Sequence, residues 1–599
     1  MINVMNDRDL PARAQASFDQ LNNFQLLWPA SATCIMNRSE RRRQAAQTGT
    51  GHRTDRVTIQ AWLDQGKAHQ QAGRLVEADK AYRQALELSP DHPDTLHLLG
   101  LVSYRLNRIP EALDFLHAAV ERESSFPVYW FNLGVVSQKA GRSDQAIAAY
   151  QKAVALNPKY LEAYGNLGNV FRDSGNLADA VAAYEQALKL NPSLSDTHNN
   201  LGVAKKEQGH VEEAIASYRR ALELKPAHAE ALNNLGLALM ETGTLHEAIQ
   251  SFQQALAIMP GYQTARYNLG MAWSWVGDET RAVECLQQVA RAKYDQGNKV
   301  SETAIYRSRV RHDMEQIRYL CDQQKLGNEQ HAYLRSLQLL HEKLDRHPAP
   351  GNRVPVASED VESIAPSFNR ILFCVPPPRL EQGALNSSLD VAIVEASYCA
   401  KQPEVTFIDS LLNQAALDAL RRFCLEATIW KKDYENGYSG AFLGDGFASP
   451  LLFQIAEELR LKFPGIFRHH RLTQAWAFKH DSTRRGLNIH ADAAAVNVNF
   501  WITADEANLN PETGGLVVYD KEAPQEWNFK EYNSDRNKPK ILAWLKEVGA
   551  QAIKIPYRAN RAVVFNSDLF HETDDISFKD EYVSRRINIT LLYGYRLKA

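Results

Sequence analysis

A chain of 599 residues exceeds what one hydrophobic core organises, and about three to five folding units are expected. Its composition, 44% hydrophobic and 23% charged with 31 glycines and 24 prolines, excludes a wholly disordered, collagen-like or fibrous chain. With 68 Lys and Arg against 71 Asp and Glu the net charge is −3, so the chain as a whole is no polyanion binder, and no apolar run is long enough to span a membrane as a helix.

Residues 1–58 carry no repeat and little periodicity, and Arg41-Arg42-Arg43 within them reads as part of a solvated, poorly ordered arm. The first residues, MINVMNDRDLPARAQ, lack the basic-then-apolar order of a secretory signal. The six cysteines are scattered without a CxxC pair. The expectation is a reducing, cytoplasmic setting.

Residues 59–296 repeat with a period of 34. Glycine recurs at Gly66, Gly100, Gly134, Gly168, Gly202, Gly236 and Gly270. Alanine stands twelve places after each, from Ala78 to Ala282, and a large residue sixteen places after: Tyr82, Leu116, Tyr150, Tyr184, Tyr218, Phe252 and Leu286. Proline closes five units, at Pro90, Pro158, Pro192, Pro226 and Pro260, where its missing N–H ends a helix. Small residues let paired helices approach, and the ring is expected to fill the gap between neighbouring units. The pattern resembles the tetratricopeptide repeat in seven copies, with units two and seven the most divergent. It implies an all-α solenoid whose concave face binds protein or peptide. Two places before the marker glycine stand Asn132, Asn166, Asn200, Asn234 and Asn268, a possible peptide-binding ladder because an amide both donates and accepts. Asn-Leu-Gly is also ordinary in such repeats. Acidic residues outnumber basic ones across the repeats, which disfavours nucleic acid as partner.

Residues 297–345 read as amphipathic helices capping the solenoid, and residues 346–402, with Pro348, Pro350, Pro355, Pro366 and Pro376-Pro377-Pro378, as a Pro-rich linker. From residue 403 the texture changes. VTFIDSLLNQAALDALRRFC predicts a strand running into a helix capped by Asp409 or Ser410, and SPLLFQIAEELRLKF a second helix. RLTQAWAFKH, AAVNVNFWIT, GGLVVYD, RAVVFN and RRINITLLYGYR then predict short strands of an antiparallel barrel or jelly roll.

Within that region GLNIHADAAAVNVNFWIT places His490 and Asp492 one residue apart, on one face of a strand, and FNSDLFHETD places His571 just after a later strand. Two imidazoles and one carboxylate form a facial triad suited to non-haem Fe(II) with open positions. A lone HxD is common by chance, but the order of strand, HAD, strand, Pro511-Glu512-Thr513-Gly514-Gly515, strand, FNSDLFH and an arginine-led strand is not. Residues 403–599 resemble the Fe(II)/2-oxoglutarate-dependent oxygenases, whose core is a double-stranded β-helix, here with flanking helices. The resemblance implies His490, Asp492 and His571 as iron ligands and 2-oxoglutarate and O₂ as co-substrates, with ascorbate as a possible support. It implies Arg586 as the group on the distal carboxylate, since Arg586 and Thr590 meet the Arg-x-x-x-Thr pattern. Arg585 would then point outward, solvated or ion-paired. His469, His470 and His480 read as surface, core or rim histidines. Asn497, Asn499 and Trp501 alternate, one face toward the cavity.

Together the parts resemble hydroxylases that join helical repeats to an oxygenase domain, a prolyl-type protein hydroxylase being the leading expectation. The same stretch also resembles phytanoyl-CoA-dioxygenase-like enzymes of small molecules. A non-enzymatic repeat scaffold is the further alternative, and a glycosyltransferase lacks the alternating strand–helix units it would need.

Overall fold

The computed structural model describes residues 52–294, 303–400, 402–481, 488–524, 526–527 and 529–595. The expected arm, with Arg41, Arg42 and Arg43, lies outside them, except that residues 52–58 open the first helix.

Fourteen helices, from His52–Gln71 to Glu279–Tyr294, form seven hairpins at the predicted period. The marker glycines Gly66, Gly100, Gly134, Gly168, Gly202 and Gly270 each face the large residue of their own unit: a Cβ on Gly134 would lie 2.6 Å from the Tyr150 ring, and one on Gly100 2.6 Å from Leu116. The ring therefore fills the gap inside a unit, not between units, and leucine does the same in units two and seven. The hairpin turns carry a second ladder, in left-handed backbone at Gly73, Asn107, Gly141, Gly175, Gly209, Gly243 and Gly277. Asparagine tolerates that conformation better than most residues, which explains how unit two keeps the turn without glycine.

By packing, the chain divides inside the helix Ala229–Glu241, into a unit ending at Ala238 and one from Leu239 onward. The seventh repeat thus belongs with the carboxy-terminal region. Within that second unit the Trp275 indole donates to the Leu472 carbonyl (2.7 Å), Arg471 donates to the Trp275 carbonyl (2.5 Å) and the Tyr294 hydroxyl donates to Asp445 (2.7 Å).

The helices expected to cap the solenoid do something else. Helix Arg307–Asp322 buries Val310, Met314 and Ile317 against Tyr333, Leu337 and Leu340 of helix Asn328–Asp345. Its other side holds the sheet region: Gln316 donates to the carbonyls of Leu425 (3.1 Å) and Ala427 (3.0 Å), and buried Arg309 reaches Asp433 (3.2 Å). Nor is the proline-rich stretch a free linker. Strand β1 (Ala304–Tyr306) pairs with β2 (Arg353–Pro355), Thr428 Oγ1 accepts from the Leu372 and Phe373 amides, and Glu458 accepts from those of Ala384 and Leu385.

The remaining strands are β3 (Val405–Ile408), β4 (Lys432–Asp433), β5 (Tyr438–Phe442), β6 (Leu472–His480), β7 (Val496–Trp501), β8 (Leu516–Glu522), β9 (Ala552–Ile555), β10 (Ala562–Asn566), β11 (Leu569–Thr573) and β12 (Ile587–Tyr593). They build a seven-stranded sheet in the order β3-β10-β7-β12-β6-β5-β4 and a three-stranded sheet in the order β11-β8-β9. Every pairing is antiparallel. Trp501, Val563 and Phe565 of the large sheet share one core with Leu516, Val518, Ile555 and Leu569 of the small one, so the sheets face each other. Every residue of β7 and β12 is buried.

Two local expectations change. The helix after β3, Gln414–Glu426, is capped by Asn413, whose side chain accepts from the Ala416 amide (2.9 Å), while Asp409 pairs instead with Arg561 and Arg558. His571 sits on a strand of its own, β11.

Candidate metal centre

His490 and Asp492 lie on the extended segment before β7 rather than within it. That segment is laced to β11. The His490 amide donates to the His571 carbonyl (3.0 Å), the His571 amide to the His490 carbonyl (2.8 Å), and the Asp492 amide to the Ser567 carbonyl (3.1 Å). Backbone pairing thus brings the HAD segment and FNSDLFH, eighty residues apart, side by side.

The side chains converge. One ligand atom from each of His490, Asp492 and His571 lies within 4.8 Å of the others. His490 Nε2 is 3.9 Å from Asp492 Oδ1, and His571 Nε2 is 3.5 Å from Asp492 Oδ2. The ring Nδ1 atoms contact main-chain carbonyls, His490 at Asn488 (2.8 Å) and His571 at Leu569 (3.1 Å). A carbonyl only accepts, so each Nδ1 carries a proton and each ring turns its Nε2 toward the carboxylate. Two imidazole nitrogens and a carboxylate converging in this way are the donor set a divalent metal takes. Burial pushes the Asp492 carboxyl up, but the two imidazoles and the Asn497 amide outweigh it and hold it below the ordinary range.

The triad opens on a cavity of about 20 Å³, room for an ion or a water. Trp476 and Phe478 of β6, Asn499 of β7, Thr590 of β12, and Leu516 and Thr573 of the small sheet complete its lining. The inward face of β7 is therefore the one carrying Asn497, Asn499 and Trp501. Asn497 donates to Asp492 Oδ2 (2.7 Å) and Asn499 to Thr590 Oγ1 (3.2 Å). Trp476 and Phe478 were hidden in the sequence: they alternate along RLTQAWAFKH, but nothing there says which face meets the metal.

The adjacent arginines separate as alternation requires. Arg586 is 1% exposed and donates to the carbonyls of Gly514 (2.6 Å) and Gly515 (3.3 Å) and to Asn588 Oδ1 (3.1 Å). No carboxylate lies within ion-pair distance of it among the described residues, and burial pushes its guanidinium down to about 10. Arg585 is not solvated but buried, at 3% exposure, in an ion pair with Glu315 of helix Arg307–Asp322. His480 is buried with its Nε2 on Asn588 (3.1 Å) and its amide on the Arg586 carbonyl (2.9 Å), and it does not line the triad cavity. Burial, with Arg586 nearby, keeps its imidazole neutral. His469 is exposed and His470 partly so.

The asparagine ladder is largely internal. Asn132 and Asn268 are each 2% exposed, Asn132 against His97 (2.8 Å). Asn200 donates to Asn169 (3.2 Å), Asn234 to Asn199 (2.9 Å), and Asn166 lies 3.5 Å from the Tyr150 hydroxyl. The bonds of Asn132, Asn200 and Asn234 join the first helices of successive repeats, so the row locks repeats together, and its three middle members are the partly exposed ones.

Comparison with known proteins places tetratricopeptide repeats across residues 52–300. Residues 149–182, 168–209, 199–263 and 239–300 match tetratricopeptide-repeat models, and residues 52–157 match the middle TPR-like domain of cilia and flagella-associated protein 70. Among solved structures, MamA is 27% identical, over 29% of this chain and 94% of that one, with a TM-score of 0.28. YrrB, a TPR protein with an unusual peptide-binding site, is 21% identical over 31% and 96%, TM-score 0.29. A tetratricopeptide repeat protein from Parabacteroides merdae is 15% identical over 40% and 94%, TM-score 0.34. No curated protein matches the chain. Among the described residues no helix is long and apolar enough to cross a membrane.

Proposed function

We propose that the carboxy-terminal region is an Fe(II)- and 2-oxoglutarate-dependent oxygenase, its two facing sheets a double-stranded β-helix, and that it hydroxylates a polypeptide gathered by the repeats. The observation that carries the reading is the convergence of His490, Asp492 and His571, with both imidazole Nε2 atoms turned inward. A ferrous ion held there would supply O₂ activation, with 2-oxoglutarate leaving as succinate and CO₂ while a substrate C–H becomes C–OH.

The chain's own residues do the rest. Three of the five Arg586 N–H groups are used on neutral acceptors, which leaves one on each terminal nitrogen for a carboxylate. Thr590 and Asn588 on one face of β12 and Arg586 just before it follow one another, a polar track from the triad cavity to a buried cation. 2-Oxoglutarate is larger than the cavity, so its binding entails movement of side chains along that track. Trp476, Phe478 and Leu516 exclude water beside the triad. Apart from the three ligands the lining carries no charge, which favours an uncharged target such as a prolyl ring over a lysyl or aspartyl side chain. The tetratricopeptide repeats support a polypeptide substrate, since such repeats generally act as protein-interaction surfaces.

The experiment follows 2-oxoglutarate consumption with Fe(II) and O₂ over peptide arrays and over free metabolites. Stimulation by proline-containing peptides is the expected result. Turnover on a free metabolite with no polypeptide present would move the substrate to the small-molecule class, and no turnover with either would leave a repeat scaffold.

A further inference from the structure

Asn497 is an awkwardly buried polar side chain beside the triad. It stands on β7 between Phe565 of β10 and Leu592 of β12, with no solvent exposure. Its Nδ2 donates to Asp492 Oδ2 at 2.7 Å, while its own Oδ1 has no partner. A half-satisfied buried amide destabilises the fold relative to an apolar residue of similar volume. Valine or leucine would suit an inward position on a central strand better, so the amide has to be explained by what its N–H does.

We propose that Asn497 holds Asp492 as a one-oxygen metal ligand, an inference that rests on the metal-centre reading above. The amide occupies Oδ2, which also lies 3.5 Å from His571 Nε2, whereas Oδ1, 3.9 Å from His490 Nε2, takes no side-chain amide and is the oxygen left for the ion. A carboxylate binding through both oxygens fills two of six coordination positions; binding through one fills a single position and keeps three open beside the two imidazoles. Both partners are fixed by backbone bonding: Asp492 by its amide on the Ser567 carbonyl, Asn497 by strand pairing on both sides. The bond is therefore set before any metal arrives. Asn497 touches the ligand and not the reacting atoms, so it is a positioning residue.

The test is titration of Co(II) into the metal-free full-length protein, read by calorimetry and by the visible spectrum of the bound ion. Wild type should bind one ion per chain, and His490→Ala should not. Asn497→Val should bind about 10- to 100-fold more weakly, with an altered visible band as Asp492 becomes free to use both oxygens. Unchanged affinity and an unchanged band in Asn497→Val would overturn the proposal. Failure of wild type itself to bind Co(II), or equal binding by His490→Ala, would instead overturn the metal-centre reading. Should the valine variant not fold, Asn497→Ser, which is smaller and too short to reach Oδ2, takes its place with the same two outcomes.

Discussion

Arg585 and Arg586 are neighbours in the chain, yet each is buried in a different environment: Arg585 on Glu315, a carboxylate of helix Arg307–Asp322, and Arg586 on the Gly514 and Gly515 carbonyls of the loop before β8. One cation is already paired with an anion and the other is not. Arg586→Lys should raise the KM for 2-oxoglutarate about 10- to 100-fold, because an ammonium cannot reproduce the two-pronged grip. Arg585→Ala should leave that KM unchanged and lower stability by about 1–3 kcal/mol, since Glu315 keeps only its bond to Arg311. KM measurements and urea denaturation on the two variants check this, and equal KM shifts would contradict it.

Gly515 has no room for a side chain. A Cβ there would lie 1.9 Å from the Ile555 carbonyl oxygen, a backbone atom that cannot step aside without unpairing β8 from β9. Gly515→Ala should therefore lower stability by about 3 kcal/mol or more, and should also raise the KM for 2-oxoglutarate because the Gly515 carbonyl supports Arg586. Gly141→Ala is the comparison: its φ is +73° but nothing lies within 4 Å, so about 1 kcal/mol is expected. Thermal unfolding and KM measurements read both.

Residues 403–599 should not fold alone, although the sequence marks them as a domain. Without residues 239–402 the fragment loses Gln316 from the Leu425 and Ala427 carbonyls, Arg309 from Asp433 and Tyr294 from Asp445. Exposing those buried polar groups and the apolar surface beneath predicts an aggregating or loosely packed product. A fragment of residues 243–599 keeps all of these partners and should unfold cooperatively. Circular dichroism and chemical denaturation of the two fragments check the difference.

His312 is buried, with Nε2 unpartnered and Nδ1 on Asp313 (3.2 Å), and burial pushes its imidazole down to about 3. The unfolded chain binds that proton near pH 6.5, so the folded state is penalised as pH falls from about 6.5 toward 3 and not above it. Stability should decline on acidification through this window, and His312→Phe should flatten the decline. Buried His97 and His480 act in the same direction, so some slope remains. Urea midpoints at pH 7 and pH 5 measure it, and an identical slope in the variant would contradict the assignment.

The repeats were legible because their signal is periodic: one glycine and one large residue every 34 positions leave little freedom. The division of the chain inside the helix Ala229–Glu241 was not, since periodicity is silent on what the last repeat packs against. The three candidate ligands and Arg586 stood out through residue type, order and alternation along a strand. Trp476 and Phe478 did not, and Asn497 was visible only as a member of an alternating strand, because alternation gives two faces and only the facing of the two sheets decides between them. Arg585 was half legible: an outward-facing side chain, solvated or ion-paired, was expected, and the helix Arg307–Asp322 that buries it on Glu315 was not. Asn413 took the capping role assigned to Asp409 or Ser410 because Asp409 is drawn to Arg561, 152 residues away.

On the proposed function, His490, Asp492 and His571 form a working ferrous centre. This is tested most directly by succinate release from 2-oxoglutarate in the presence of Fe(II) and O₂, comparing wild type with His490→Ala. Wild type should release succinate in step with 2-oxoglutarate consumed, and the variant should fall to the rate of Fe(II) in buffer. Equal release by the two proteins, or none by wild type saturated with Fe(II), would contradict the account.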